Sequence, residues 1–186
     1  MQKRRFVVTG GSGFVGQFLI KKLSSLYPDS EIHNIDIHHP IGLGFSNVSN
    51  HIIDLTNQQS LKSFKFSAND TVYHLAAYIF TDQVPSKAKS ERWFESLNVY
   101  GTQNLLAVME ENGVKNIAFI STDMVYGSPQ TNPIDINHPL NPNGPYGLSK
   151  IKAEKLIGDF GARKNFRSII FRPRMIVGPG RFGLLN

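Results

Sequence analysis

Residues 9–16 read TGGSGFVG, and the fold turns on what stands on either side of them. Before them, FVVTG (6–10) is a short β-branched run that ends in glycine. After them, Phe14, Phe18, Leu19, Leu23 and Leu26 recur at helical spacing from Gly13 to about Tyr27, and Pro28 follows. The stretch contains G-x-G-x-x-G as Gly11, Gly13 and Gly16, and G-x-x-G-x-x-G as Gly10, Gly13 and Gly16. Alone the pattern is weak, because glycine-rich turns are common. Between a strand and an amphipathic helix it gains force. There the glycines allow a tight turn and close approach of the backbone to a pyrophosphate, and the helix N-terminus offers unpaired N–H groups to the negative charge. A flexible strand–helix loop is the blander alternative.

Outward from this turn, strands and helices alternate. EIHNIDI (31–37), HIIDL (51–55) and TVYHLAA (71–77) read as strands, and Thr56 is placed to cap a short helix running through Phe64. A single long helix is expected from about Lys89 to Asn112, with Phe94, Leu97, Leu105 and Val108 on one face and Gly113 ending it. NIAFIST (116–122) is a strand, the proline- and glycine-rich segment to Pro145 is loop, Tyr146 to Phe160 is helical, and FRSIIFRP (166–173) is the last strand. Strands that alternate with helices and read apolar throughout imply an α/β fold: a doubly wound parallel sheet of Rossmann type with helices on both faces. On this reading residues 1–173 form the dinucleotide-binding domain with its catalytic residues. Residues 174–186 begin a truncated substrate-binding region, and a small C-terminal substrate domain is missing.

Asp36 lies twenty residues beyond Gly16, at the end of the second strand. An acid there accepts hydrogen bonds from an adenosine ribose and repels a 2′-phosphate. Ile37 rather than an arginine follows it, which favours NAD over NADP, although His38 or His39 could become cationic beside a phosphate. Asp54 closes the third strand, either to meet the adenine amino group or simply to face solvent.

Composition sets outer limits. The chain has 186 residues, 40% hydrophobic and 18% charged, which suits one soluble globular domain. Lys and Arg outnumber Asp and Glu by 20 to 14, for a net charge of +6, but the charges are scattered and the densest run is Lys3-Arg4-Arg5. No nucleic-acid partner and no membrane partner is therefore expected. With no cysteine, disulfides and thiol catalysis are excluded. The six histidines show no metal-ligand spacing, so no metal is expected. The opening twenty residues imitate a signal peptide, but four glycines, Thr9, Ser12 and Gln17 interrupt the apolar stretch; a cytoplasmic protein is expected.

In PYGLSK (145–150), Tyr146 and Lys150 stand four apart at the start of a helix and so share one face. A free phenol, with a pKa near ~10, is a poor base at neutral pH. A neighbouring ammonium stabilises the phenolate, and an oxidised nicotinamide adds positive charge nearby. The tyrosine then becomes a general acid/base for a hydroxyl proton. By itself Y-x-x-x-K is a frequent accident; behind a dinucleotide turn it is not.

Taken together, TGGSGFVG, Asp36, Asp54-Leu55, HLAA (74–77), Asn98 in NVYGT, STDMVYG (121–127), Tyr146 with Lys150, and RP at 172–173 resemble the extended short-chain dehydrogenase/reductases, the NAD-dependent epimerase/dehydratase family. The resemblance covers nearly the whole chain. It implies bound NAD, Tyr146 as catalytic acid/base, Lys150 anchoring the nicotinamide ribose, and Thr122 hydrogen-bonding the substrate oxygen. The implied cofactor set is Gly10, Gly13, Phe14, Val15, Gly16, Asp36, Asp54, Leu55, Leu75, Ala76, Ala77, Asn98, Tyr146, Lys150 and Pro173. It further implies a homodimer through the helices over 89–112 and 146–160.

Two departures bear on the reaction. STDMVYG resembles the S-T-D-E-V-Y-G of sugar-nucleotide 4,6-dehydratases, but Met124 occupies the glutamate position. A thioether cannot abstract a proton, so an epimerase or a dehydrogenase is expected instead. In FRPRMIVGPG, Met175 stands where sugar-nucleotide enzymes of the family usually carry asparagine, which points toward hydroxysteroid-like or other secondary alcohols as well as sugar nucleotides. Arg174 and Arg181 are either anion ligands or, the preferred reading, surface residues. A dinucleotide-sensing module without catalysis is the competing function.

Overall fold

The computed structural model describes residues 3–40, 42, 44–79, 84–162 and 166–181; the part of the expected C-terminal region at 182–186 lies outside the described residues. Six strands form one parallel sheet: β1 (Arg5–Thr9), β2 (Glu31–Asp36), β3 (Val48–Ile52), β4 (Asp70–His74), β5 (Asn116–Ile120) and β6 (Arg167–Phe171). Their spatial order is β3-β2-β1-β4-β5-β6. The helices are α1 (Phe14–Leu26), α2 (Gln58–Lys62), α3 (Lys87–Glu95), α4 (Thr102–Glu111) and α5 (Pro145–Gly161). Successive connections run one way from β1 to β3 and the other way from β4 to β6. The chain therefore leaves the carboxyl ends of β1 and β4 in opposite directions and opens a crevice between them.

Side-chain alternation on the strands builds a core on each face. Val7, Ile35, Val72, Ile117 and Phe119 point to one side, where Leu105 and Met109 of α4 and Ala153 and Ile157 of α5 cover them. Phe6, Val8 and Ile32 point to the other, under Ile20 and Leu23 of α1. Burying one such aliphatic side chain contributes about 1.5–3 kcal/mol. Ala118 and its register neighbour Ile169 share the α1 side. No described helix lies over them there, and Ile169 and Phe171 remain 59% and 50% exposed.

Four expectations need correction. The third strand spans Val48–Ile52, not 51–55. It is an edge strand with mostly exposed side chains, so it carries little apolar signal, whereas Ile53 and Leu55 are buried by the segment that follows it. The short helix is capped by Asn57, whose Oδ1 accepts from the Ser60 N–H at 3.1 Å, and Thr56 lies outside it. The helix expected over 89–112 is broken: a π-helical turn, Ser96–Gly101, separates α3 from α4. The ends of β4 and β5 also fall short of the expected bounds, because Leu75-Ala76-Ala77 and Ser121-Thr122 leave the sheet to line the crevice, while His74 stays in β4 beneath it.

Candidate active site

The crevice is a cleft of about 1160 Å³ above the carboxyl ends of the strands. Its floor at one end is the glycine-rich turn. Gly10 has φ +73°, a left-handed conformation, and a Cβ there would stand 2.6 Å from the Ala76 backbone nitrogen. A Cβ on Gly16 would collide with the Gly10 carbonyl oxygen, so glycine is required for α1 to begin this close to β1. Gly13 precedes α1 without a side-chain cap, and no acidic residue occupies the helix's first turn. The first N–H groups therefore face the cleft with no carboxylate competing for them. A pyrophosphate fits the backbone cradle these glycines leave.

Asp36 ends β2 at the rim. Its Oδ2 accepts from the Ser12 N–H and its Oδ1 from the His38 N–H, each at 3.0 Å, which fixes the carboxylate beside the turn. Each oxygen keeps a second lone pair for a ribose hydroxyl. Asp54 lines the cleft too, while its Oδ1 accepts from the Thr56 N–H at 2.8 Å. Phe14, Val15, Leu55, Leu75, Ala76, Ala77 and Pro173 complete the wall.

Asn98 does not. It is 1% exposed on the π-helical turn and absent from the cleft lining. Its Oδ1 accepts from the Tyr78 N–H at 2.7 Å, and its Nδ2 donates to the Tyr78 carbonyl at 3.0 Å and to Ser149 Oγ at 2.9 Å. Ser149 Oγ donates in turn to the Tyr146 carbonyl at 2.7 Å. Asn98 thus holds the cleft wall against α5 from behind, and both of its amide hydrogens are already engaged.

At the other end of the cleft, Pro145 at the first position of α5 pre-sets the helical turn that presents Tyr146 and, one turn on, Lys150. Gly147 between them allows α5 to press against the 3-10 turn Asp123–Val125; a Cβ there would lie 2.6 Å from the Met124 carbonyl oxygen. This close approach sets Thr122 beside the Tyr146 phenol. Thr122 Oγ1 also accepts from the Met124 N–H at 3.2 Å. Thr122, Tyr146 and Lys150 all line the cleft.

The electrostatics differ from the sequence expectation. Burial pushes the Tyr146 phenol up to about 12; Arg181 and the Thr122 hydrogen bond pull against it, and Asp123 adds to the rise. Burial pulls the Lys150 ammonium down to about 7, with Glu154 opposing. The ammonium is 2% exposed and stands 4.1 Å from the centre of the Phe119 ring. The lowered phenol expected from the Tyr–Lys spacing is therefore not found in the protein alone, because desolvation outweighs the nearby cations.

Two aromatic cleft residues went unnoticed in the sequence. Tyr78 and Trp93 stack at 4.2 Å with their planes 7° apart, and both line the cleft. Ser121 Oγ is buried without a hydrogen-bond partner. Arg181 and Arg174 both line the cleft: the Arg181 guanidinium stands 5.7 Å from the Phe14 ring centre, and the Arg174 side chain is 92% exposed with its Nε 3.9 Å from Asp123 Oδ2. The lone tryptophan and the hydroxyl run Ser121-Thr122 were the available signals; nothing in the spacing marked Tyr78. Among the described residues no cluster of three or more His, Asp or Glu is placed to hold a metal ion, and no helix is long and apolar enough to cross a membrane.

A profile of the NAD dependent epimerase/dehydratase family matches residues 6–184. The chain belongs to that family. It is 38% identical over 174 residues to the N-acetyl-α-D-glucosaminyl-diphospho-ditrans,octacis-undecaprenol 4-epimerase of Escherichia coli O157:H7, covering 92% of this chain and 49% of that one. It is 30% identical over 193 residues to the dTDP-D-glucose 4,6-dehydratase of Mus musculus, covering 96% and 52%. Among solved structures, the UDP-glucose 4-epimerase of Brucella ovis in complex with NAD superimposes with a TM-score of 0.76 at 25% identity, over 91% of this chain and 51% of that one. The chain spans about half the length of these relatives. As a member of the epimerase/dehydratase family it has NAD as its family cofactor, in keeping with the cradle and Asp36. The relatives include a 4-epimerase and a 4,6-dehydratase, so membership leaves both reactions open.

Proposed function

We propose that this chain is the cofactor-binding and proton-transferring part of an NAD-dependent enzyme acting at a secondary alcohol or ketone carbon of a sugar-nucleotide-like substrate. The observation that carries the reading is that Thr122, Tyr146 and Lys150 together line the far end of the same cleft whose other end is the glycine cradle. When bound, NAD accepts and returns the hydride. Thr122 holds the substrate oxygen, and Tyr146 takes or returns its proton. With its phenol pushed up by burial, Tyr146 is a proton donor at neutral pH; positive charge brought beside it favours the phenolate and makes it a base. Asp36 favours NAD over NADP by like-charge repulsion of a 2′-phosphate.

Epimerisation or simple dehydrogenation is favoured over 4,6-dehydration because Met124 lines the cleft where a proton-abstracting carboxylate would be needed. The names of the relatives favour sugar substrates over hydroxysteroids. Pairing of two copies through the α3–α4 stretch (89–112) and α5 (146–160) is the proposed assembly. Turnover of a nucleotide-linked hexose by wild type and by Tyr146→Phe tests the catalytic role. The variant should lose roughly 10²–10⁴-fold in rate while binding NAD within a few-fold of wild type. Equal turnover by the two would leave only a dinucleotide-binding module.

A further inference from the structure

Behind Lys150 lies a buried ionic group that hydride transfer does not itself use. Glu154 stands one turn further along α5 and is 6% exposed. Arg172, immediately after β6, grips its carboxylate: Nε donates to Oε1 at 3.0 Å and to Oε2 at 3.2 Å, and Nη2 donates to Oε2 at 2.6 Å. The remaining Nη1 donates to the Tyr126 hydroxyl at 3.0 Å, and the guanidinium lies 5.2 Å from that ring's centre. Tyr126 closes the 3-10 turn that follows Thr122. A helix, a strand end and the substrate-side turn therefore meet on one guanidinium.

Among the described residues, little else balances the charge of Lys150. Its Nζ faces the Phe119 ring of β5. From β4 it faces His74, whose imidazole burial, together with the Lys150 charge, pulls down to about 3, so that it stays neutral. Tyr146, on its own helix, is kept protonated by burial. Glu154 is the charged group that favours the ammonium. An ion removed from water needs such a partner, and the partner must itself be fixed.

We propose that Glu154, fixed by Arg172 and Tyr126, is a positioning residue that keeps Lys150 an ammonium at its place in the cleft. This rests on the reading of Lys150 as the cation of the hydride-transfer site. A plain staple between α5 and β6 would use the same bonds yet leave the proton on Lys150 unaffected.

The test is the titration of Lys150 itself, followed by NMR of protein carrying ¹³C,¹⁵N-lysine and assigned by the signal lost in Lys150→Arg. Glu154→Gln with Arg172→Met removes both charges and leaves no bare guanidinium. In that double variant Lys150 should hold its proton at least tenfold more weakly than in wild type, with the midpoint falling from near 7. An unchanged midpoint in a variant with native circular dichroism overturns the proposal. If the double variant fails to fold, Glu154→Gln is read against Arg172→Met and Glu154→Asp: a midpoint that falls in Glu154→Gln but not in Arg172→Met, and that Glu154→Asp partly restores, supports the proposal, and an unchanged midpoint in Glu154→Gln overturns it. The titration needs no substrate, so its outcome is separate from that of the Tyr146→Phe assay.

Discussion

His33 and His51 face each other across the β2–β3 pair, with His33 Nδ1 and His51 Nε2 3.1 Å apart. Arg5 Nε donates to His33 Nε2 at 3.1 Å, so the neutral His33 must carry its proton on Nδ1 and donate it to His51. Protonating His33 would set a second N–H against the guanidinium of Arg5. Burial first, then Arg5 and His51, pull His33 down to about 4, and burial and Arg5 pull His51 down as well. The sign follows directly. The unfolded imidazole takes up a proton near ~6.5 while the folded one resists until about 4, so stability is full above the upper value and is lost as pH falls between the two. The His33 side chain is 14% exposed, and the loss attached to it is about 3 kcal/mol. His33→Gln keeps an acceptor for Arg5 and does not titrate. Urea unfolding at pH 7 and at pH 4.5 should show that this variant escapes most of the acid destabilisation of wild type. An equal loss in both proteins would place the acid sensitivity elsewhere.

At the scale of elements, the break between α3 and α4 carries the most structural consequence. Apolar spacing over 89–112 reads as one continuous helix because a π-helical turn displaces the following residues without removing any apolar position. The break lets Asn98 turn inward to the Tyr78 backbone and Ser149, and Thr102 follow with its hydroxyl 2.9 Å from His74 Nε2. Asn98→Ala would leave the Tyr78 N–H and the facing hydroxyl with one partner fewer in a dry site. The expected loss is about 2–3 kcal/mol, seen as a lower urea midpoint with an unchanged m-value. A loss below about 0.5 kcal/mol would mean that water replaces the amide. The same contrast shows what the sequence could reveal. The glycine turn, α1, α5 and the central strands were legible because their signals are local: alternation, helical period, and glycine where no Cβ fits. The position of β3 was obscured because an edge strand buries little. The place of Asn98 was obscured because residue type names a hydrogen-bonding group but not its partner. The raised Tyr146 was hidden because desolvation depends on what the whole fold stacks around a side chain.

At the scale of the molecule, the cleft draws its walls from both halves of the sheet. Gly10, Gly16, Asp36 and Asp54 come from the β1–β3 half, and Thr122, Tyr146, Lys150 and Pro173 from the β4–β6 half. The halves are joined by the β1–β4 pairing, in which Thr9 is the register partner of His74. Thr9 Oγ1 and His74 Nδ1 lie 2.6 Å apart, directly beneath the crevice. A dinucleotide spanning the crevice touches both halves at once, and opening either of them releases it. Binding must then stabilise the molecule as a whole. At a free concentration one hundred times the dissociation constant, NAD should add about 2.7 kcal/mol. For a chain of this length that corresponds to a rise in Tm of roughly 5–10 °C. NADP at the same concentration should give a much smaller shift, because its 2′-phosphate meets the carboxylate that Ser12 and His38 hold at the rim. Asp36→Ala should narrow the gap between the two cofactors. Calorimetric scans with each cofactor measure this without any substrate, and equal shifts from NAD and NADP in wild type would remove Asp36 from the ribose site.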